Sequence, residues 1–128
     1  MSQKIKVEST RAPAAIGPYS QAVIMDGWLY CSGQIALDPV SGTMETGGVE
    51  AEARRVFENL AAVLKEAGSS FGQVVKVGVY LKDLEDFDVV NRVYAEYFEA
   101  PYPARACVEV ARLPRDALVE LDCVARTG

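Results

Sequence analysis

The sequence of 128 residues contains no histidine. This absence excludes nucleophile–histidine pairs of the Ser-His and Cys-His type, and it removes the imidazole ligands of the usual zinc sites. Cysteine is scarce as well, because Cys31, Cys107 and Cys123 lie far apart and form no C-x-x-C motif. An odd number of dispersed cysteines is typical of reduced thiols, so we expect a cytoplasmic protein.

Basic charge and long apolar runs are also lacking. The chain has 13 Lys and Arg against 18 Asp and Glu, which gives a formal net charge of -5. Because nucleic-acid binding depends on basic groups that neutralise phosphates, we expect no nucleic-acid partner. No apolar run approaches the ~20 residues that a membrane span needs. The first ten residues are polar rather than built like a signal peptide, so we expect neither a membrane segment nor an export signal.

What the sequence does contain is the composition of a folded domain. Half of its residues are hydrophobic, and no low-complexity tract interrupts them. This composition and length predict a single domain, residues 1–128, built around one core.

The hydrophobic pattern predicts the element order β-β-β-α-β-α-β-β. Six segments show the alternation or the β-branched content of strands: 4–8, 21–25, 28–36, 73–81, 105–111 and 118–125. Asp26-Gly27 predicts a tight hairpin between the second and third strands. Apolar residues recur at helical spacing from Val49 to Ala67, where Gly68 provides a stop, and again from Phe87 to Phe98.

Two amphipathic helices and six strands predict a two-layer α+β sandwich, with a mixed sheet and both helices on one face. The other face must meet solvent or another subunit. In the fourth strand we expect the covered face to carry Val75, Val77, Val79 and Leu81.

The stretch "PARACVEVARLP" leads into the last two strands, which we predict to pair antiparallel around "RLPRDA". Side chains alternate between the two faces along a strand. If Val108 and Val110 lie under the helices, the residues that alternate with them therefore lie on the uncovered face, together with the alternate residues of the final strand. That predicted face carries Arg105, Cys107, Glu109, Leu118, Glu120 and Asp122. On spacing alone, such a face is most often solvated and held by cross-strand ion pairs, and Cys107 is more often a packing residue than a nucleophile.

The stretch "ARACVEVARLPRDALVELDCVA" resembles the C-terminal signature of the Rid (YjgF-type) family of 2-imino acid deaminases. The segments "APAAIGPYSQAV", "SGQIALDP", "VFENLAAVLKEAG" and "VVKVGVYLKDLEDFDVVNRVY" match the family in order, so the resemblance covers residues 4 to 126. Because both the arginine and the later glutamate are present, the chain is most similar to the 2-iminobutanoate/2-iminopropanoate deaminase subgroup.

The resemblance implies a fold similar to trimeric chorismate mutase, in which three subunits pack their uncovered faces into a central barrel with clefts between neighbours. It also implies hydrolysis of the reactive enamines and imines that pyridoxal-phosphate enzymes such as threonine and serine dehydratases release. The products are a 2-keto acid and ammonia, and no metal or cofactor is required.

The resemblance also implies roles for individual residues. Arg105 would grip the substrate carboxylate and Glu120 would hold the attacking water. The remaining cleft residues implied by position are Tyr19, Ser32, Gly33, Asn91 and Cys107. Glu109 is expected to be an ion-pair partner.

Two other functions stay open at this point. One is an RNA-cleaving translation inhibitor, a label also attached to the family, which the net charge of -5 and the lack of histidine disfavour. The other is a non-catalytic metabolite-binding or chaperone-like module, which the presence of Glu120 disfavours.

Overall fold

The computed structural model describes residues 3–128, and its elements follow the predicted order. Six strands form one sheet: β1 (Ile5–Val7), β2 (Ala22–Met25), β3 (Trp28–Gln34), β4 (Val74–Leu81), β5 (Ala104–Glu109) and β6 (Val119–Arg126). The α-helices are α1 (Val49–Glu66) and α2 (Phe87–Tyr97), and short 3₁₀ turns precede β4, α2 and β6. Within residues 3–128, no helix is long and apolar enough to cross a membrane.

Both helices cover the same face of the sheet, and the core lies between these two layers. On α1, Val56, Phe57 and Leu60 are buried, and they belong to one cluster with Val79 and Leu121 of the sheet. The ring of Phe57 also contacts four other aromatic rings: Phe71, Tyr94, Tyr97 and Phe98. The predicted two-layer α+β sandwich with helices on one face is confirmed.

Two predicted turn signals also act as expected. Asp26 and Gly27 have φ angles of 54° and 80°, the left-handed pair that a two-residue hairpin between β2 and β3 requires. Gly68, with φ 75°, follows the last turn of α1 and ends the helix.

The sheet order is β1-β2-β3-β6-β4-β5, which corrects the predicted pairing of the last two strands. β6 lies between β3 and β4 and is antiparallel to both, whereas β5 is an edge strand parallel to β4. The reason is that α2 forms a crossover connection, which returns the chain parallel to the strand it left. The short connection after β5 therefore crosses the end of β4 instead of closing a hairpin.

The parallel register also reverses the predicted faces of β5. Arg105 and Cys107 pair with Val77 and Val79, whose side chains lie under the helices, so the polar residues of β5 face the helical layer. Val108 lies on the uncovered face and is 45% exposed, which contradicts its predicted place under the helices.

The two residues at the end of this stretch also depart from prediction. Val110 follows β5 and packs beside a small separate cluster of Ile35, Leu113 and Ala117. The Glu109 carboxylate accepts a hydrogen bond from the Leu84 N–H at 2.9 Å, so it anchors the turn before α2 instead of forming the predicted ion pair.

A shift in register between Val74 and Lys76 changes which residues of β4 are buried. Val74 enters the core, while Val75 is 44% exposed. The predicted covered face is therefore correct for Val77, Val79 and Leu81 but wrong for Val75, because a bulge moves the preceding residue to the opposite face.

Two buried polar side chains of α1 hold the segments that flank the sheet. Glu52 accepts a hydrogen bond from the Leu118 N–H at 2.9 Å, one residue before β6 begins. Burial raises the pKa of this Glu52 carboxyl. The Asn59 amide donates to the carbonyl oxygens of Ile35 and Leu37, at 3.2 and 2.9 Å, just after β3 ends.

Candidate active site

The first group of predicted site residues surrounds Arg105, and we call Arg105, Asn91, Tyr94 and Phe87 the arginine half-site. The Arg105 Nη1 donates to the Asn91 Oδ1 at 2.7 Å. The guanidinium carbon lies 4.7 Å from the ring centroid of Tyr94 and 5.5 Å from that of Phe87. A hydrogen bond and two rings therefore hold the planar cation in place on the surface of α2.

The described part of the chain provides no acidic partner for the guanidinium of Arg105. Among residues 3–128, no carboxylate lies within ion-pair distance of it. The side chain borders an open groove of about 530 Å³, whose other lining residues are Asn91, Tyr94, Ala95, Tyr102 and Pro103. A held, exposed and unpaired guanidinium is suited to bind a carboxylate through two parallel hydrogen bonds.

Cys107 lies two residues beyond Arg105 on the same side of β5. Its side chain is half-buried against the core and borders a depression that Leu84 and Phe87 also line. Burial raises the pKa of the Cys107 thiol, although the positive charge of Arg105 opposes the shift. A thiol with a raised pKa stays protonated at neutral pH and is a poor nucleophile, which agrees with a packing role.

The second group surrounds Glu120 on the uncovered face, and we call Glu120, Gly33 and Ser32 the glutamate half-site. The register between β3 and β6 shifts between Cys31 and Gln34, so Ser32 and Gly33 form a bulge beside β6. The Glu120 carboxylate lies against the backbone of Gly33. A Cβ atom at Gly33 would stand 2.8 Å from the Glu120 Cδ and closer still to its carboxylate, so any larger residue would force the Glu120 carboxylate to move.

The electrostatics of Glu120 favour its protonated form. Burial raises the pKa of the Glu120 carboxyl, and the neighbouring charge of Asp122 raises it further. Among the described residues, no N–H or O–H group donates a hydrogen bond to this carboxylate. A half-buried carboxylate with free lone pairs and a raised pKa is suited to hold a water molecule and to accept its proton.

Tyr19 lies in the loop before β2 and directly precedes Ser20, which is hydrogen-bonded to Ser32 of the glutamate half-site. Its side chain is 55% exposed. The loop is fixed to the bulge, because the Ser32 Oγ donates to the Ser20 carbonyl oxygen at 2.6 Å. In the described chain no hydrogen bond joins Tyr19 to Arg105 or Glu120, so its contact with substrate stays a prediction.

The two half-sites lie on opposite faces of the sheet. Arg105 pairs with Val77 of β4, and Glu120 pairs with Tyr80 of the same strand. Because these two β4 residues are three positions apart, their side chains point to opposite sides. The prediction that Arg105 and Glu120 share one face is therefore wrong within a single chain.

Sequence reasoning missed the aromatic floor of the arginine half-site. It placed Asp122 on the same face as Glu120 but missed the hydrogen bond that holds Asp122 there. Phe87 and Tyr94 stand four residues before and three residues after Asn91, a spacing that places all three on one helical face. That spacing is visible in the sequence, but the same periodicity also describes a helix face packed on the core, so it does not by itself indicate a site. Asp122 follows Glu120 by two residues, and its hydrogen bond to Tyr80 depends on a strand pairing that periodicity does not reveal.

The chain is similar to known proteins over nearly its whole length. A family model described as Endoribonuclease L-PSP matches residues 9–127. The chain is 55% identical to a RutC family protein of Synechocystis sp., over 98% of this chain and 97% of that protein. It is 50% identical to the 2-iminobutanoate/2-iminopropanoate deaminase of Mus musculus, over 95% of this chain and 90% of that protein.

A solved structure extends the likeness to three dimensions. The crystal structure of E. coli TdcF with bound serine is similar with a TM-score of 0.90 and 40% identity, over 96% of this chain and 98% of that one. The matching family model, the identities over nearly the whole length and the shared fold together establish that the chain belongs to the Rid (YjgF-type) family.

Proposed function

We propose that the protein hydrolyses small 2-imino acids and their enamine tautomers to 2-keto acids and ammonia. The observation that carries this proposal is the pair of complementary half-sites. Among residues 3–128 the Arg105 guanidinium has no carboxylate partner, and the Glu120 carboxylate accepts no hydrogen bond. The mouse relative named 2-iminobutanoate/2-iminopropanoate deaminase supports the same substrate class. Pyridoxal-phosphate-dependent dehydratases would supply such substrates.

In this proposal Arg105 anchors the substrate. The carboxylate is the one permanent anion of a small 2-imino acid, and a guanidinium stays positive at every working pH. Because Asn91 occupies one N–H of Nη1, the remaining N–H groups are free to bind both carboxylate oxygens. Fixing those two oxygens also fixes the neighbouring C2 carbon, which is the electrophile.

Glu120 acts on water. Its carboxylate accepts a hydrogen bond from a water molecule and takes the proton as the water oxygen bonds to C2 of the protonated imine. Glu120 returns that proton to the nitrogen of the resulting tetrahedral carbinolamine. It then takes the proton of the new C2 hydroxyl as the C–N bond breaks, so that the C2 carbonyl forms and ammonia leaves and accepts this proton as ammonium. Such proton transfer contributes about 10²–10⁴-fold to a rate. The steps consume one water for each ammonia released and need no oxidant or reductant.

We further propose that each site is assembled from two subunits of a homotrimer. Because Arg105 and Glu120 lie on opposite faces of one sheet, they reach the same small substrate only if one subunit supplies the arginine and a neighbour supplies the glutamate. The uncovered face supports association, since Tyr30 and Val108 expose about half of their surface there, at 49% and 45%. Light scattering measures the mass directly.

The test is an assay in which a threonine dehydratase generates the imine and the appearance of 2-oxobutanoate is followed. We expect the wild-type protein to accelerate product release. Arg105→Ala should abolish the acceleration, and Arg105→Lys should restore little of it, because lysine keeps the charge but loses the two-point fork. Glu120→Gln should keep substrate binding but lose most of the rate. An Arg105→Ala variant with full activity contradicts the anchor.

Mixing two inactive variants tests the shared site. When Arg105→Ala and Glu120→Gln subunits are unfolded together and refolded as mixed oligomers, about one quarter of the clefts should combine an intact Arg105 with an intact Glu120. We expect about that fraction of wild-type activity to return. If the mixture stays inactive although mass spectrometry shows mixed oligomers, both residues act from the same chain.

The description of the family model favours one alternative activity, RNA cleavage. The net charge of -5 gives this chain little electrostatic attraction for phosphates. A titration with labelled RNA at low and high salt decides between the two functions. Salt-dependent binding and cleavage that Glu120→Gln abolishes would favour the ribonuclease.

A further inference from the structure

Asp122 occupies a specific position beside Glu120 on the uncovered face. Both residues alternate with the buried Leu121 on β6, so their side chains point to the same side. The Tyr80 hydroxyl donates to the Asp122 Oδ2 at 3.0 Å. Tyr80 is also the β4 residue that pairs with Glu120, so it neighbours Glu120 across the strands and is hydrogen-bonded to Asp122.

Gly78 provides the space in which this hydrogen bond forms. Gly78 pairs with Asp122 across the two strands, and both side chains converge over its backbone. A Cβ atom at Gly78 would stand 2.8 Å from the Tyr80 hydroxyl oxygen and closer still to Asp122. The glycine, the tyrosine and the aspartate therefore form one arrangement that holds a negative charge next to Glu120.

Among the described residues, Lys76 is the basic side chain that shares this face with the two acids, and it borders the same depression as Asp122. The residues that line this face around Glu120 are Asp122 on β6, Tyr80 and Lys76 on β4, and Tyr30, Ser32 and Gly33 on β3. Lys76 pairs with Val124, four positions along β6, which is about 13 Å from Glu120. Lys82, just beyond β4, lies near Glu52, where its positive charge partly opposes the rise in the pKa of that carboxyl that burial causes. In the proposed trimer Arg105 of a neighbouring subunit would add a positive charge at this site.

We propose that Asp122, held over Gly78 by the Tyr80 hydroxyl, is a positioning residue that acts through Glu120 and sets its strength as a base. The inference rests on the proposed function. A negative charge beside a carboxylate makes proton uptake more favourable, so Glu120 accepts the proton of its water more readily than an isolated carboxylate does. The burial of Glu120 and the charge of Asp122 raise its pKa in the same direction.

The experiment compares pH profiles of kcat/KM for wild type, Asp122→Asn and Asp122→Glu. Removing the charge lowers the pKa of Glu120, so Asp122→Asn should shift the acidic limb of the profile to lower pH and also reduce the plateau. Asp122→Glu keeps the charge and should leave the limb at the wild-type position. Glu66→Gln removes the same unit of charge from the exposed end of α1 and should change neither limb nor plateau.

If Asp122 had a purely structural role, both variants would show a lower plateau of kcat/KM, and the acidic limb of their pH profiles would stay at the wild-type position. That result would overturn the inference. Carbon-13 NMR titration of the Glu120 carboxyl provides a readout without turnover, with the resonance assigned through Glu120→Gln. A Glu120 titration midpoint that stays unchanged in Asp122→Asn also overturns it. If the midpoint shifts but wild-type protein has no deaminase activity, the electrostatic coupling stands and the proposed function fails.

Discussion

Replacing Gly33 by alanine tests how closely the backbone and the Glu120 carboxylate must fit. The new Cβ atom would stand 2.8 Å from the Glu120 Cδ, whereas carbon atoms in contact are about 3.5–4 Å apart. The carboxylate must therefore retreat by about 1 Å, and a misplacement of that size costs about 10²-fold in rate. We expect Gly33→Ala to lower the rate of imine hydrolysis by roughly this factor.

Stability should change little in the same variant. The φ angle of Gly33 lies outside the left-handed region, so alanine fits the backbone and reduces the entropy of the unfolded chain, an effect of about 0.4–1 kcal/mol. The free energy of unfolding, measured with urea, should stay within about 1 kcal/mol of wild type. Gly72→Ala is the matched control, because the nearest atom to a Cβ there is 3.8 Å away. Its rate should be unchanged, and its stability should change by the same unfolded-state effect of about 0.4–1 kcal/mol.

Two outcomes would refute the reasoning. The first is a Gly33→Ala protein with the wild-type rate. The second appears in the double variant: if Gly33→Ala acts by displacing Glu120, it should slow Glu120→Gln no further, because the displaced group is already disabled. Losses that multiply would mean that the methyl group excludes the substrate instead.

Three further predictions concern the core and its buried polar groups. Phe57→Ala should cost about 3–5 kcal/mol of unfolding free energy in urea titrations, because the ring is fully buried among four others. Burial raises the folded-state pKa of Glu52, so the stability that its protonated form contributes is lost as the pH rises above about 4.5. The unfolding free energy of Glu52→Gln relative to that of wild type should therefore increase as the pH rises from 4 to 8, which unfolding at several pH values will measure. In native protein a maleimide should label Cys107 before the two buried thiols, and slowly at neutral pH, since burial raises the pKa of Cys107; peptide mass spectrometry identifies the order.

The layer architecture followed from sequence because it depends on local patterns. The helical spacing of α1 and the Asp26-Gly27 turn lie within short segments and are little affected by distant residues. The faces of β5 could not be obtained in this way. Alternation tells which residues share a face, but the buried face is decided by the neighbouring strand, and here α2 places β5 parallel to β4.

Only part of the candidate site was predictable from the sequence. The family resemblance singled out Arg105, Asn91 and Glu120, and the first two form a hydrogen bond in the folded chain. The separation of Arg105 from Glu120 by the sheet was not predictable, because it depends on the strand order. The Tyr80–Asp122 hydrogen bond escaped prediction as well, since the two residues are 42 positions apart and meet only through the pairing of β4 with β6.

The place of β5 at the edge of the sheet gives Arg105 a second consequence, for solubility. In an isolated chain the outer side of an edge strand offers unpaired N–H and C=O groups to which another strand can add, and proteins limit this risk with short strands, charges and prolines. β5 has six residues, Pro103 precedes it, and Arg105 and Glu109 are its charges. A substitution that neutralises Arg105 therefore removes a charge that limits edge-to-edge aggregation, in addition to the proposed ligand for the substrate carboxylate. Neutralising Glu120, on an interior strand, leaves that edge charge in place.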